Sequence, residues 1–324
     1  MGGRYERDLK YDTKTKLKLK DAPAILTDYY YSLIASGKSN ITAYNYICYV
    51  MGFLKFTFQD KCPDSFYLNV KSSDINRYIS SLRVKNINGE MRKTSDSLKT
   101  VHWSALNSFF QFLVPEYIDS NPVSNTKRPK MKDNPNVAYL TQEEISNVLK
   151  YVENNAPKDL KNRDLCLLKL GFSTGLRVSA IVQIDIDDID FKSNQIKVNE
   201  KGDRDEYVMF GEQLKKQLLL WLKDRKKYFS KCNSKALFIT NRNNRLSVAA
   251  VEKMMKKYTK EVTDKHVTPH VMRHSCATNL YEQTGDIYLC ANQLHHKSVS
   301  TTQKYADISK SRKAEAMNIL DNLI

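Results

Sequence analysis

Glycine is scarce in this chain: ten among 324 residues, beside eight prolines and two tryptophans. So little glycine excludes collagen-like and Gly-rich low-complexity classes and suits a helix-rich folded chain. No run of about 18 apolar residues occurs, so no spanning helix is expected. The N-terminus lacks the charged-then-apolar pattern of a signal peptide. The six cysteines, Cys48, Cys62, Cys166, Cys232, Cys276 and Cys290, include no CxxC pair. They read as reduced, mostly buried thiols of a cytoplasmic protein, not as a disulfide framework or a metal cluster.

Acidic residues are also in deficit. Lys and Arg number 52 against 36 Asp and Glu, a formal net charge of +16. The excess is even: residues 1–136 hold 21 basic and 13 acidic side chains, residues 137–324 hold 31 and 23. A basic surface on both halves points to a polyanion held by both, and double-stranded DNA fits better than an anionic membrane.

What is present is helical periodicity. Residues 1–20 form a basic arm, flexible or an edge strand, with lysines at alternate positions from Lys14 to Lys20. Residues 21–118 contain four stretches with apolar residues at three- and four-residue spacing, each opening near a Ser, Asp or Asn suited to capping. Residues 119–138 break the pattern with three prolines and the cations Lys127, Arg128, Lys130 and Lys132, a basic linker expected to lie along the DNA. A second domain, 139–324, starts at LTQEEI, where Thr141 and Glu144 spell a capping box. Further helices are expected near 141–155, 161–174, 211–228 and 248–262. Alternating segments at 195–199 and 206–210 around a polar turn read as a β-hairpin.

Five of the six histidines lie between 266 and 296. His266, His270 and His274 have zinc-like spacing, yet no Glu follows His270 as in HExxH and no acidic or cysteine ligand is close, so no metal site is read. Thr268 can cap a helix with Pro269 at its first position, and His270 and Arg273 then project from one face of the first turn. Backbone amides, the helix dipole and a guanidinium fork there favour an anion, phosphate best of all. Arg177, two residues after Gly175, is presented at a bend between elements. Alone, Arg177 reads as a surface or ion-paired arginine, Lys201 as a solvated hairpin tip and Tyr305 as one of nineteen tyrosines.

Taken in order, the set has a family resemblance. TGLR (174–177), EKGDR (200–204), HVMRH (270–274), LHHKSVSTTQKY (294–305) and the opening LTQEEI (140–145) resemble the catalytic domain of the tyrosine recombinases, the phage and mobile-element integrases and Xer-type resolvases. The resemblance covers residues 140–310; the preceding helical region resembles the family's core-binding domain in pattern and length only. It implies a mainly α fold with a small antiparallel β-sheet: a SAM-like helical core-binding domain, then an α+β catalytic domain.

It also implies a chemistry. Tyr305 would attack the scissile phosphate, giving a 3′-phosphotyrosyl link and a 5′-hydroxyl, with no cofactor and no metal. Arg177 and Arg273 would hold the non-bridging oxygens, Lys201 would protonate the leaving oxygen, His270 would assist proton transfer at the nucleophile, and His296 would hydrogen-bond the phosphate. The physics agrees. A phenol of pKa near 10 needs cationic neighbours or a base to attack at neutral pH, and guanidinium groups preorganised on the developing charge supply several kcal/mol. The sequence departs from the family pattern at Ala180, where an acidic residue is usual, and at His295, where glycine is usual. By the same resemblance the amphipathic C-terminal segment 311–324 would dock on a neighbouring subunit in a cyclic exchange within a DNA-bound homotetramer, with room for an accessory DNA-bending protein. Integration or excision of a mobile element is the expected role, in the cytoplasm at the nucleoid. Chromosome or plasmid dimer resolution, type IB topoisomerase activity and a catalytically silent DNA-binding protein are the alternatives.

Overall fold

A computed structural model describes residues 2–59, 62–82, 84–87, 90–93, 96–130, 138–199 and 205–294. The chain divides into two compact units, Met1–Asp133 and Asn134–Ile324. Both are mainly helical with small antiparallel sheets, the fold class expected. No helix among the described residues is long and apolar enough to cross a membrane.

The first unit runs α1 (Gly2–Leu19), α2 (Ile25–Ala35), α3 (Asn40–Phe58), α4 (Ser72–Ser81), the hairpin β1 (Val84–Ile87) and β2 (Glu90–Lys93), and α5 (Asp96–Leu113). Ser39 caps α3, its hydroxyl accepting from the Thr42 amide at 3.3 Å. The core is aromatic: Tyr29, Phe53, Phe66, Phe109 and Phe110 are fully buried, with Phe66 stacked on Phe109 at 6.0 Å. Each such side chain contributes about 1.5–3 kcal/mol of burial.

Three features of this unit depart from the sequence reading. Residues 2–19 are a helix, neither a flexible arm nor an edge strand. The alternate lysines suggested a strand, but Tyr11, Thr15 and Leu19 recur every four residues and the last two are buried, so the helical period prevails. The hairpin was not foreseen; Ile87 pairs with Glu90, leaving Asn88 and Gly89 between the strands, a dipeptide that favours tight hairpins. The first part of the linker is also packed down. Trp103 Nε1 donates to Thr126 Oγ1 at 2.8 Å, Thr100 Oγ1 donates to the Pro129 carbonyl at 3.1 Å, and Val123 is buried.

The second unit runs α6 (Gln142–Asn155), α7 (Lys161–Thr174), α8 (Val178–Ile181), the strands β3 (Ile189–Asp190), β4 (Gln195–Asn199) and β5 (Asp205–Met209), then α9 (Glu212–Tyr228), α10 (Val248–Thr259), α11 (Pro269–Thr284) and α12 (Ile287–Gln293). The sheet order is β3-β4-β5, all antiparallel. The hairpin β4–β5 was expected; the third strand β3, two residues long, was too short to carry a period. Ile196, Val198 and Val208 point into the core, while Tyr207 and Met209 are exposed.

Helix α7 is the hub. It buries Leu165, Cys166, Leu167, Leu168, Leu170 and Phe172 and also the ion pair of Arg163 and Asp164. The Arg163 guanidinium bonds Asp164 Oδ1 at 2.6 and 2.8 Å and the Ile239 carbonyl at 2.9 Å, and the Tyr258 hydroxyl donates to Asp164 Oδ2 at 2.7 Å. Burial, then this carboxylate, raises the Tyr258 phenol above its ordinary range. Gly171 lets α7 approach α11 closely: a Cβ there would fall 2.2 Å from Met272 Cε.

Candidate active site

Two helix ends and one helix start meet where α7 and α11 cross. Gly175 ends α7 in the left-handed conformation, φ +65°, which glycine adopts without strain. A side chain there would also strike Leu294 Cδ2 at 2.5 Å. Leu176 is buried and anchors the turn, its amide donating to Thr174 Oγ1 at 3.3 Å. Arg177 follows at the N-cap of α8 in an extended backbone conformation, its side chain exposed. The TGLR segment is therefore a rigid bend that presents one arginine outward.

Arg273 approaches the same bend from α11. Thr268 caps that helix, Oγ1 accepting from the Val271 amide at 3.3 Å, and Pro269 occupies its first position, as the sequence predicted. Arg273 is 7% exposed. Its Nη1 donates to the Gly175 carbonyl at 2.7 Å and its Nη2 to the Leu294 carbonyl just beyond α12. Both acceptors are neutral, so these bonds orient the fork without cancelling its charge. Through Gly175, Arg177 and Arg273 belong to one bonded assembly. His270 lies three residues before Arg273 on α11 and is exposed, so the shared face expected for the pair holds a surface histidine and a sunken arginine. His266 is exposed and His274 half-buried. Among the described residues no group of three or more His, Cys, Asp or Glu side chains is placed to hold a metal ion.

The motif at 140–145 supports this site from behind. The Leu140 amide donates to Ser275 Oγ at 2.8 Å, and Asn279 Nδ2 donates to the Leu140 carbonyl at 2.9 Å. Both partners lie on α11. The predicted capping box is formed, Thr141 N to Glu144 Oε2 at 2.8 Å and Glu144 N to Thr141 Oγ1 at 3.2 Å. Lys265 pairs with Glu144 at 2.7 Å and donates to the Tyr139 carbonyl at 2.9 Å. Burial pushes the Glu144 carboxyl up, but Lys265 and the Thr141 amide outweigh it and hold the carboxyl below its ordinary range.

Other supports had no sequence signal. Arg245 donates to the Val182 carbonyl at 2.9 Å and pairs with Asp185, fixing the segment after α8. Ala180, at the family's acidic position, is buried. All six cysteines are free thiols. Cys276, next to Gly175, is pushed up to about 12 by burial, against the pull of Arg273, and Cys290 to about 11 by burial and then Asp286. Both act as small apolar residues at neutral pH.

Lys201, His296 and Tyr305 lie outside the described residues, as do His295, Lys132 and the segment 311–324. Lys201 falls between β4 and β5, whose last register pair is Asn199 with Asp205. Lys127, Arg128 and Lys130 are exposed in the first unit, on the strand of chain pinned by Trp103 and Thr100.

The model of the phage integrase family matches residues 138–312. The tyrosine recombinase XerC of Oceanobacillus iheyensis is 32% identical over 253 residues, 76% of this chain and 80% of that protein. XerS of Streptococcus sanguinis is 28% identical across 98% of this chain and 99% of its own length. The crystal structure of the XerH site-specific recombinase bound to its palindromic difH substrate, a post-cleavage complex, superposes with a TM-score of 0.69 at 20% identity, covering 89% of this chain and 82% of that one. That last likeness is one of fold.

Proposed function

Because the chain belongs to the phage integrase family, the tyrosine recombinases that cut and rejoin DNA, we propose that it is a site-specific DNA recombinase working through a 3′-phosphotyrosyl intermediate and a Holliday junction. The observation that supports the residue roles is the bond from Arg273 to the carbonyl of Gly175, two residues before Arg177 in the same turn. A phosphodiester repels nucleophiles, and its transition state gathers charge on the non-bridging oxygens. An arginine already oriented by neutral acceptors meets that charge with little reorganisation. Arg177 and Arg273 take the non-bridging oxygens, His270 assists proton transfer at the nucleophile, Lys201 protonates the leaving 5′-oxygen, His296 hydrogen-bonds the phosphate and Tyr305 attacks. The exposed cations Lys127, Arg128 and Lys130, with Lys132, follow the DNA backbone.

The working assembly is a homotetramer on two paired sites, in the cytoplasm at the nucleoid, with an accessory DNA-bending protein as an optional partner. A groove of ≈ 760 Å³ on the second unit, lined by Ile145, Leu149, Phe172, Leu214, Leu280 and Leu289, supports the exchange of C-terminal segments. The apolar residues Met317, Ile319 and Leu320 of a neighbouring subunit fit its chemistry. Integration or excision of a mobile element is the favoured role; the full-length likeness to XerS supports dimer resolution as the second reading. Direct repeats flanking the gene would decide for the element.

The test is covalent trapping on DNA from those flanks. The parent should form an adduct that survives denaturation, and Tyr305→Phe should bind without forming it. Equal behaviour of the two proteins would mean a silent DNA-binding protein. Relaxation of plasmids regardless of a site would mean a topoisomerase.

A further inference from the structure

Helix α1 is docked by one face and charged on the other. Its inner face is fixed to the first unit at several points. The Tyr30 hydroxyl donates to Asp12 Oδ1 at 2.6 Å, Asn40 Nδ2 donates to the Asp8 carbonyl at 3.0 Å, the rings of Tyr11 and Tyr44 meet edge to face at 5.4 Å, and Thr15 and Leu19 are buried. The Asp12 carboxylate is taken up by Tyr30 and by Lys16 at 2.9 Å. The Asp12 carboxylate is thus tied to the domain, while Lys10, Lys14 and Lys18 are exposed.

Lys10, Lys14 and Lys18 are all exposed and lie at positions i, i+4 and i+8, one row along the helix. None forms a salt bridge among the described residues; Lys14 only leans over the Tyr11 ring at 5.5 Å. The row spans about 12 Å at 1.5 Å per residue, the axial length over which one DNA strand presents about four phosphates. Because the helix is held by buried and hydrogen-bonded side chains, the row is presented as a unit. Three separate flexible lysines would lose more entropy on binding.

Resting on the reading of the chain as a DNA recombinase, we infer that the Lys10–Lys14–Lys18 row of α1 is a phosphate-binding surface that clamps duplex DNA and adds sequence-independent affinity. Leu9 and Leu17, also exposed on the helix, leave a protein surface as the rival occupant.

Two measurements on the full chain decide it. In the first, Lys10→Gln, Lys14→Gln and Lys18→Gln are combined, substitutions that keep helix propensity, and binding to a short random-sequence duplex is followed between about 50 and 200 mM salt. The log–log slope should become shallower by about 0.9 per lost contact, about 2–3 in all. A slope equal to the parent's overturns this inference alone, whereas a parent that binds no duplex overturns the recombinase reading with it. In the second, a benzophenone amino acid replaces Leu17 and is photolysed in the presence of the same duplex. Crosslinks to DNA are expected; crosslinks only to a second copy of the chain would overturn the assignment.

Discussion

Arg163 and Arg273 are almost equally buried, at 6% and 7% exposure, and they are held differently. Arg163 bonds twice to the neighbouring Asp164 and once to a carbonyl, and Tyr258 completes that carboxylate. Arg273 spends its hydrogen bonds to Gly175 and Leu294 on carbonyls. Burying a charge is costly unless it is paired. The first arrangement neutralises the charge locally and reads as architecture, whereas the bonds to Gly175 and Leu294 fix the direction of the Arg273 fork. The first unit sharpens the point. Its buried polar side chains among the described residues are Thr15, Thr100 and Asn121, none of them ionic.

Substitutions should separate the two arginines. Arg273→Ala should lower DNA cleavage by at least about 10²–10³-fold, the scale for removing one donor to a developing oxyanion, while the duplex is still bound, as single-turnover cleavage and binding assays would show. Arg163→Met should do the reverse. It strands Asp164 in the core and should cost about 3–5 kcal/mol in denaturant unfolding, with cleavage per folded molecule retained below the transition. A smaller effect is expected at the helix crossing. Gly171→Ala drives a methyl into Met272 and should cost about 1–3 kcal/mol, lowering stability and, through the displaced Gly175 carbonyl, cleavage.

Smallest of all should be Glu144→Gln. Its partner Lys265 is a surface side chain, so the loss should stay under about 1 kcal/mol. The sign with pH is fixed: the folded carboxyl titrates below the unfolded one, so its contribution is present above the ordinary glutamate range and lost as pH falls through the folded value. Unfolding titrations of parent and variant should therefore converge in acid.

Legibility in the sequence followed the range of the interaction. The cap of α11 was readable because Thr268 and Pro269 act on their own neighbours. Arg177, Arg273 and His270 stood out because they recur in a fixed order. Arg163 and Asp164 were not singled out, because their partner Tyr258 lies 94 residues away. Arg245 carried no mark, since its acceptors, the Val182 carbonyl and the Asp185 carboxylate, lie some sixty residues upstream. The helix α1 was misread where alternate lysines concealed a four-residue period, and β1–β2 was missed although Asn88-Gly89 signals a hairpin.

The most direct test of the claim that Arg273 meets a phosphate charge is a charge swap on the DNA. A methylphosphonate placed at the scissile position, located by mapping the tyrosyl adduct, removes one non-bridging oxygen and its charge. If the account is right, the cleavage defect of Arg273→Ala should shrink at least about tenfold on this neutral substrate, because part of the neutralising work is no longer needed. A defect of the same size on both substrates would contradict it and leave Arg273 a structural residue like Arg163.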